Sequence, residues 1–194
     1  TSGEGGALLI NNTQFKERAE IIWEKGTNRA SFSRGEINKY GWVDLGSSFL
    51  PSELNAAFLY AQLENLEEIA QKRKEVHSWY KSKIYGLKLK KQAVFPDTPK
   101  CSSENGHITY LLCKSKTERS ELIKYLAENN IKAVFHYLAL HQSEFFKDEF
   151  KGEYQYRNAV KFEDTLLRLP MFNGLSVEDV SFICKTLKQF YENL

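Results

Sequence analysis

Thr1-Ser2-Gly3-Glu4-Gly5-Gly6-Ala7-Leu8-Leu9-Ile10-Asn11-Asn12 sets a polar, glycine-dense turn directly ahead of an apolar run. Glycine reaches positive φ without a Cβ penalty and lets backbone approach backbone or ligand closely, so Gly3, Gly5 and Gly6 mark a tight turn. Ala7 to Ile10 then reads as a short buried strand. With no initiator Met, no helix cap and no polar leader, the stretch reads as the interior of a fold. A strand-to-strand turn without chemical consequence would give the same pattern.

Outward from it, Phe15, Ala19, Ile22 and Trp23 recur at helical spacing, and Gly26 stops that helix. Residues 27–48 read as irregular, carrying Arg29, Arg34, Lys39 and Tyr40 among several glycines. A loop of that length in a compact protein is usually functional or mobile. From Pro51 to about Tyr85, Leu54, Phe58, Leu63, Leu66, Ile69, Val76, Tyr80 and Ile84 hold a long helical rhythm. Unbroken, it would span roughly 50 Å, so a bent or broken helix joining two lobes is expected. Its charged residues, Arg73 among them, read mainly as a solvated face, and His77 as a surface residue.

Gly86 ends that helix and a basic connector runs from Leu87 to Pro99. His107–Cys113 and Ile131–Tyr137 read as strands. Glu118–Asn129, with Leu122, Ile123 and Leu126 inward, reads as a helix. Phe145, Phe146 and Phe150 fall in an aromatic loop. Tyr154–Leu167 and Ser176–Leu194 read as helices, Pro170 following the first and Ser176 with Asp179 opening the second as a capping box. The β-α-β-α-α order from about residue 100 predicts a small α/β domain whose sheet is covered on one face.

Composition narrows the function classes. A chain of 194 residues, 42% hydrophobic and 13% aromatic, can bury a core and is not of disordered type. Its 27 basic and 25 acidic residues leave a formal charge of +2, too balanced for a nucleic-acid or membrane-surface binder. Cys101, Cys113 and Cys184 are widely spaced and odd in number, which favours free thiols over a disulfide framework or zinc site. No apolar run reaches the roughly 20 residues of a membrane span. A cytoplasmic protein is expected.

Several segments together resemble the DegT–DnrJ–StrS family of sugar aminotransferases. The GEGG turn of Gly3–Gly6 is similar to one that follows the family's Schiff-base lysine. Gly46-Ser47-Ser48-Phe49-Leu50-Pro51-Ser52-Glu53-Leu54-Asn55-Ala56-Ala57 resembles the family's G-x-N-x-R-M-x-x-L-x-A-A block. Ser48 stands at the asparagine position, and Leu50-Pro51 replaces Arg-Met. Val134-Phe135-His136-Tyr137-Leu138-Ala139-Leu140-His141 resembles the H-Y-x-P-L-H run, with Ala139 at the usual proline. Asn105–Tyr110 and Leu167–Phe172 resemble two further blocks that are mainly architectural. The resemblance covers essentially the whole chain in order.

It implies an α/β fold: the C-terminal part of a fold-type I aminotransferase dependent on pyridoxal 5′-phosphate. Residues 1–50 would be the end of the large cofactor-binding domain, 51–86 the long linking helix and 87–194 the small C-terminal domain. Ser48 and Ser47 would reach the cofactor phosphate of the partner subunit in a homodimer. His136, Tyr137 and His141 would line the sugar-nucleotide pocket, with Arg29, Arg34, Lys39 and Tyr40 toward the nucleotide end. The Schiff-base lysine would precede Thr1, leaving this chain without a catalytic residue and inactive by itself; no metal is implied.

The runs Glu24–Arg29 and Arg34–Ser48 are similar to those of relatives acting on TDP-4-keto-6-deoxy-D-glucose. That similarity implies amino transfer from L-glutamate to C4 of that sugar, for cell-surface polysaccharide of the enterobacterial common antigen type. Three bland readings stay open from the residues alone: Ser47 and Ser48 capping the helix, a solvated charged loop, and structural histidines. Two other classes also stay open, a non-catalytic dimerisation or interaction module and a regulatory member of the family.

Overall fold

A computed structural model describes residues 2–87, 89, 93–150 and 156–194. The chain divides into two compact units, Thr1–Leu66 and Glu67–Leu194.

In the first unit a 3-10 turn, Thr13–Phe15, leads into helix α1, Lys16–Trp23. Helix α2, Arg29–Ser33, lies inside the stretch expected to be irregular. Helix α3, Glu53–Glu64, is capped by Ser52, whose side chain accepts from Asn55 N–H at 3.2 Å, so Ser47 and Ser48 are not its caps. Ala7–Ile10 forms no strand, and Leu8 and Leu9 are 78% and 86% exposed. A strand needs a neighbour to take its backbone groups, and among the described residues none lies alongside.

Asn65 separates α3 from helix α4, Leu66–Gly86. The long helical pattern is thus broken, as its length required. The Asn65 side chain donates to Ala61 C=O at 2.9 Å, a local bond that competes with helix continuation.

The second unit holds a four-stranded antiparallel sheet: β1 Ala93–Val94, β2 Thr109–Cys113, β3 Val134–Phe135 and β4 Leu166–Leu169, in the order β1-β2-β4-β3. Helix α5, Lys116–Glu128, connects β2 to β3. Helices α6, Glu144–Glu149, and α7, Arg157–Thr165, come before β4, and helix α8, Val177–Glu192, follows it. Opposed residues share a sheet face, and the register pairs Thr109 with Leu169, Leu111 with Leu167 and Ala93 with Cys113. All six are buried, whereas Val94, Tyr110, Leu112 and Arg168 on the other face are half-buried or exposed. The face of those six is the more fully covered, although Leu166, opposite Leu112 on the other face, is also buried and Phe135, opposite Leu167 at the β3 edge, is exposed.

The buried face meets α4 and α8. Tyr80, fully buried, donates to Pro170 C=O at 3.0 Å, and Tyr191 reaches Cys113 Sγ at 3.8 Å. On α8, Val180, Ile183, Cys184 and Leu187 form the inward stripe of the core. The Ser176–Asp179 capping box is present.

Two expectations need correction here, and a third falls outside the described residues. Leu166 and Leu167 belong to β4 instead of the end of a helix, because β2 and β3 offer that segment backbone partners, Leu166 opposite Leu112 and Leu167 between Leu111 and Phe135. Tyr154, the expected start of the helix, lies outside the described residues, as do Lys88, Lys90 and Lys91 of the connector. The phenylalanine-rich loop carries α6, whose cap is Ser143 accepting from Phe146 N–H at 3.2 Å.

His77 is 8% exposed and not a surface residue. Its Nδ1 lies 3.1 Å from Thr109 Oγ1 and its Nε2 3.2 Å from Glu104 Oε2. Arg73, on the same helix, donates to the Gly106 and His107 carbonyls. Gly106, at φ +62°, lies so near that a Cβ would come within 2.6 Å of Arg73 O. Among the described residues no helix is long and apolar enough to cross a membrane.

Candidate functional site

The expected site residues fall into two groups, one in each unit. In the first, the loop from Thr27 to Ser48 is folded back on the end of α1. Lys25 at φ 61° and Gly26 at φ +77° turn the chain out of the helix. Lys25 N–H then donates to Ser47 C=O at 3.0 Å, and Ser47 N–H to Ile22 C=O at 3.0 Å. Gly26 C=O accepts from Val43 and Asp44 at 2.9 and 3.0 Å. Antiparallel bridges pair Glu24 with Ser48 and Thr27 with Trp42. The crossing is tight: a Cβ on Gly26 would sit 1.8 Å from Asp44 O, and one on Gly46 2.2 Å from Gly26 N.

This ladder fixes Ser47 and Ser48 through their backbones and leaves both residues exposed. Neither hydroxyl has a hydrogen-bond partner among the described residues, so both are free to donate to an anion. The four expected nucleotide-facing residues are not equivalent. Arg29 Nη1 pairs with Glu24 Oε1 at 3.0 Å, a carboxylate that is 12% exposed, and its guanidinium carbon lies 6.0 Å from the Tyr40 ring centroid. Arg34 is shared between Glu36, at 2.7 and 3.2 Å, and Glu20, at 3.0 Å. Hydrogen bonds to Glu36 and then Glu20 raise the Arg34 pKa further and hold the guanidinium on its own chain.

Arg29 and Arg34 therefore serve internal carboxylates, and a phosphate would have to compete for them. Lys39 is exposed without such a partner among the described residues. Tyr40, 45% exposed, is steadied by Phe32 at 5.5 Å between ring centroids.

In the second unit, β3 delivers His136, Tyr137 and His141 into one loop. Glu163 Oε2 accepts from Ala139 N–H at 2.9 Å, and a 3-10 turn follows at Leu140–Gln142. Tyr137 is 77% exposed, its ring edge-on to His136 at 5.1 Å. His136 Nδ1 is shut from solvent and has no hydrogen-bond partner among the described residues. His141 packs against Tyr156 at 4.9 Å.

The hydroxyls, ammonium and exposed phenol of the first group can bind phosphate oxygens and a flat ring, and the imidazoles and exposed phenol of the second can bind hydroxyls and a flat ring. No cluster of three or more metal-ligating side chains occurs among the described residues. Burial pushes the Cys113 thiol up to about 11 and the Cys184 thiol up to about 12, so neither is a nucleophile at neutral pH. Sequence reasoning missed Glu163, the partner of Ala139, and Glu24, the partner of Arg29. No spacing links positions 139 and 163, whereas the Glu24–Arg29 pair lies within one quoted run.

The sequence profile of the DegT/DnrJ/EryC1/StrS aminotransferase family matches residues 1–188. The chain belongs to that family. Similar family members include the UDP-4-amino-4,6-dideoxy-N-acetyl-beta-L-altrosamine transaminase of Campylobacter jejuni, 24% identical over 100% of this chain and 50% of that protein. The dTDP-3-amino-3,6-dideoxy-alpha-D-galactopyranose transaminase of Aneurinibacillus thermoaerophilus is 23% identical over 96% of this chain and 47% of its own length. The chain spans about half the length of the curated relatives it matches.

Among solved structures, Spr1654 from Streptococcus pneumoniae in its PMP form shares the fold, with a TM-score of 0.76 at 21% identity over 97% of this chain and 46% of that one. The same protein is also known in a PLP form. The family's aminotransferases depend on pyridoxal phosphate, and the match to about half of each relative accords with a C-terminal segment of that fold.

Proposed function

We propose that this chain is the C-terminal part of a nucleotide-sugar aminotransferase dependent on pyridoxal phosphate. The parent enzyme moves an amino group from L-glutamate to C4 of TDP-4-keto-6-deoxy-D-glucose, in the synthesis of a cell-surface polysaccharide. The family match across residues 1–188 carries the reaction class. The substrate rests on the likeness of the Glu24–Arg29 and Arg34–Ser48 runs to relatives acting on that sugar. A dTDP-sugar transaminase among the similar proteins is consistent with the nucleotide.

When bound, pyridoxal phosphate supplies the electron sink for proton removal at the carbon that carries the amino group. The residues of this chain would bind and orient. Ser48 and Ser47 donate hydroxyls to the cofactor phosphate of the neighbouring subunit in a homodimer. Lys39 offers a mobile positive charge to the pyrophosphate, and Tyr40 a ring face to the nucleotide. Arg29 contributes indirectly by steadying Tyr40, and Arg34 keeps the loop closed on α1. Tyr137, with its ring edge-on to His136, forms the wall against the sugar together with His141 of the same loop.

The test is to incubate the full-length parent with glutamate, pyridoxal phosphate and a panel of keto sugars on TDP, UDP and GDP carriers. Release of 2-oxoglutarate greatest with TDP-4-keto-6-deoxyglucose, and a 4-amino product, is expected. Preference for another carrier or a 3-amino product would remove the substrate assignment, and no 2-oxoglutarate with any sugar would remove the enzymatic reading.

A further inference from the structure

We infer that Glu163 is a positioning residue that holds the Tyr137-bearing loop in its binding shape by capturing a single backbone N–H, that of Ala139. The inference rests on the reading of that loop as a wall of the sugar-nucleotide site. Three observations carry it. Glu163 Oε2 accepts from Ala139 N–H at 2.9 Å, joining α7 to the loop across 24 positions of sequence. Ala139 sits at φ −65° and ψ 124°, within the narrow φ range to which a proline ring would confine it. Its C=O is also engaged, accepting from Gln142 N–H at 2.8 Å. The middle of the loop is thus fixed on both sides by its backbone.

The other end of the same clasp is Arg119, 8% exposed, which donates from Nη1 to the backbone carbonyl of Glu163 and sets its guanidinium carbon 5.7 Å from the Phe135 ring centroid. Phe135 immediately precedes His136. Arg119 on α5 and Glu163 on α7 therefore grip the strand end and the loop that leaves it. A carboxylate binds a backbone N–H more strongly than a neutral acceptor does, so the bond replaces by electrostatics the constraint that a proline would supply covalently. Tyr137, 77% exposed, has little packing of its own to orient it and depends on that fixed backbone.

The chemistry predicts a sign reversal. Glu163→Ala frees the Ala139 N–H, and amide hydrogen exchange across residues 137–142 should quicken roughly tenfold. Ala139→Pro alone removes the donor and crowds the carboxylate, and should also loosen the loop. Combined, Glu163→Ala makes room and Ala139→Pro restores the φ constraint, bringing exchange at the remaining amides back to within about twofold of wild type. Glu163→Gln keeps an acceptor and should cost less than Glu163→Ala.

In the full-length parent, Glu163→Ala should raise KM for the nucleotide sugar roughly tenfold and leave kcat within about twofold. Unchanged exchange in Glu163→Ala, or losses that simply add in the double variant, would overturn the clasp. Exchange that quickens in Glu163→Ala and recovers in the double variant, with KM unmoved for every nucleotide sugar, would leave the clasp and remove the sugar-wall reading instead.

Discussion

At His77 the chain commits an imidazole to a nearly closed space between Thr109 and Glu104. Burial holds its pKa below the ordinary value of 6.5, outweighing the attraction of Glu104, while Lys81 adds to the depression. As pH falls through about 6.5, the unfolded chain therefore takes up a proton that the folded chain refuses, and stability declines with acidification. Glu104 acts with the same sign at lower pH. Burial pushes its carboxyl up, but bonds from Thr98 and Gly106 and the charges of His77 and Lys81 hold it below 4.5. Its contribution is present above that value and lost beneath it. Denaturant midpoints should thus fall between pH 7 and pH 5, and His77→Gln should flatten the upper part of that decline. Gly26 makes a second prediction at this scale. With φ +77° and Asp44 O 1.8 Å from any Cβ, Gly26→Ala should cost at least about 2 kcal/mol. Loss of Trp42 fluorescence order at lower denaturant concentration would register it.

β4 decides the architecture of the second unit, since it pairs with both β2 and β3. Leu167 is fully buried at its centre, and Leu167→Ala should cost about 2–5 kcal/mol in chemical unfolding. Ser176 opens α8 with its side chain accepting from Asp179 N–H at 3.1 Å while Asp179 returns the bond at 2.9 Å. Ser176→Ala should cost about 1 kcal/mol, visible as a lower thermal midpoint with the far-ultraviolet signal of the native state retained. The strand and the helix differ in how legible they were. Ser176, Asp179 and the inward stripe of α8 announce a helix from local chemistry alone. Leu166-Leu167-Arg168-Leu169 has no β-branched residue, follows directly on α7, and becomes a strand because β2 stands beside it.

The two units are unequal in burial. Every buried apolar side chain among the described residues belongs to the second unit, from Val76 to Tyr191. Among the described residues the first unit buries only Glu24 and Gly26, and α3 exposes Leu54 at 83%, Phe58 at 54% and Tyr60 at 65%. Resistance to local opening follows buried apolar contact, so limited proteolysis should cut within residues 27–60 well before 109–187, leaving a stable product that carries the second unit. Early cleavage between Thr109 and Leu187 would contradict this. For the proposed function, the 194-residue chain alone, given pyridoxal phosphate and glutamate, should form no 2-oxoglutarate, in contrast to the full-length parent.

The sequence by itself determined the longer helices, the capping box of α8, the need for a break in the long helical pattern, the family, and the candidate residues, because periodicity, capping chemistry and motif order are local properties. Tertiary structure decided that Leu166–Leu169 is a strand, that His77 is buried and that Glu163 grips Ala139. It also decided that Arg29 and Arg34 answer to Glu24, Glu20 and Glu36. Each of these depends on which distant or neighbouring group arrives to satisfy a hydrogen bond or charge, and that is fixed only when the chain closes on itself.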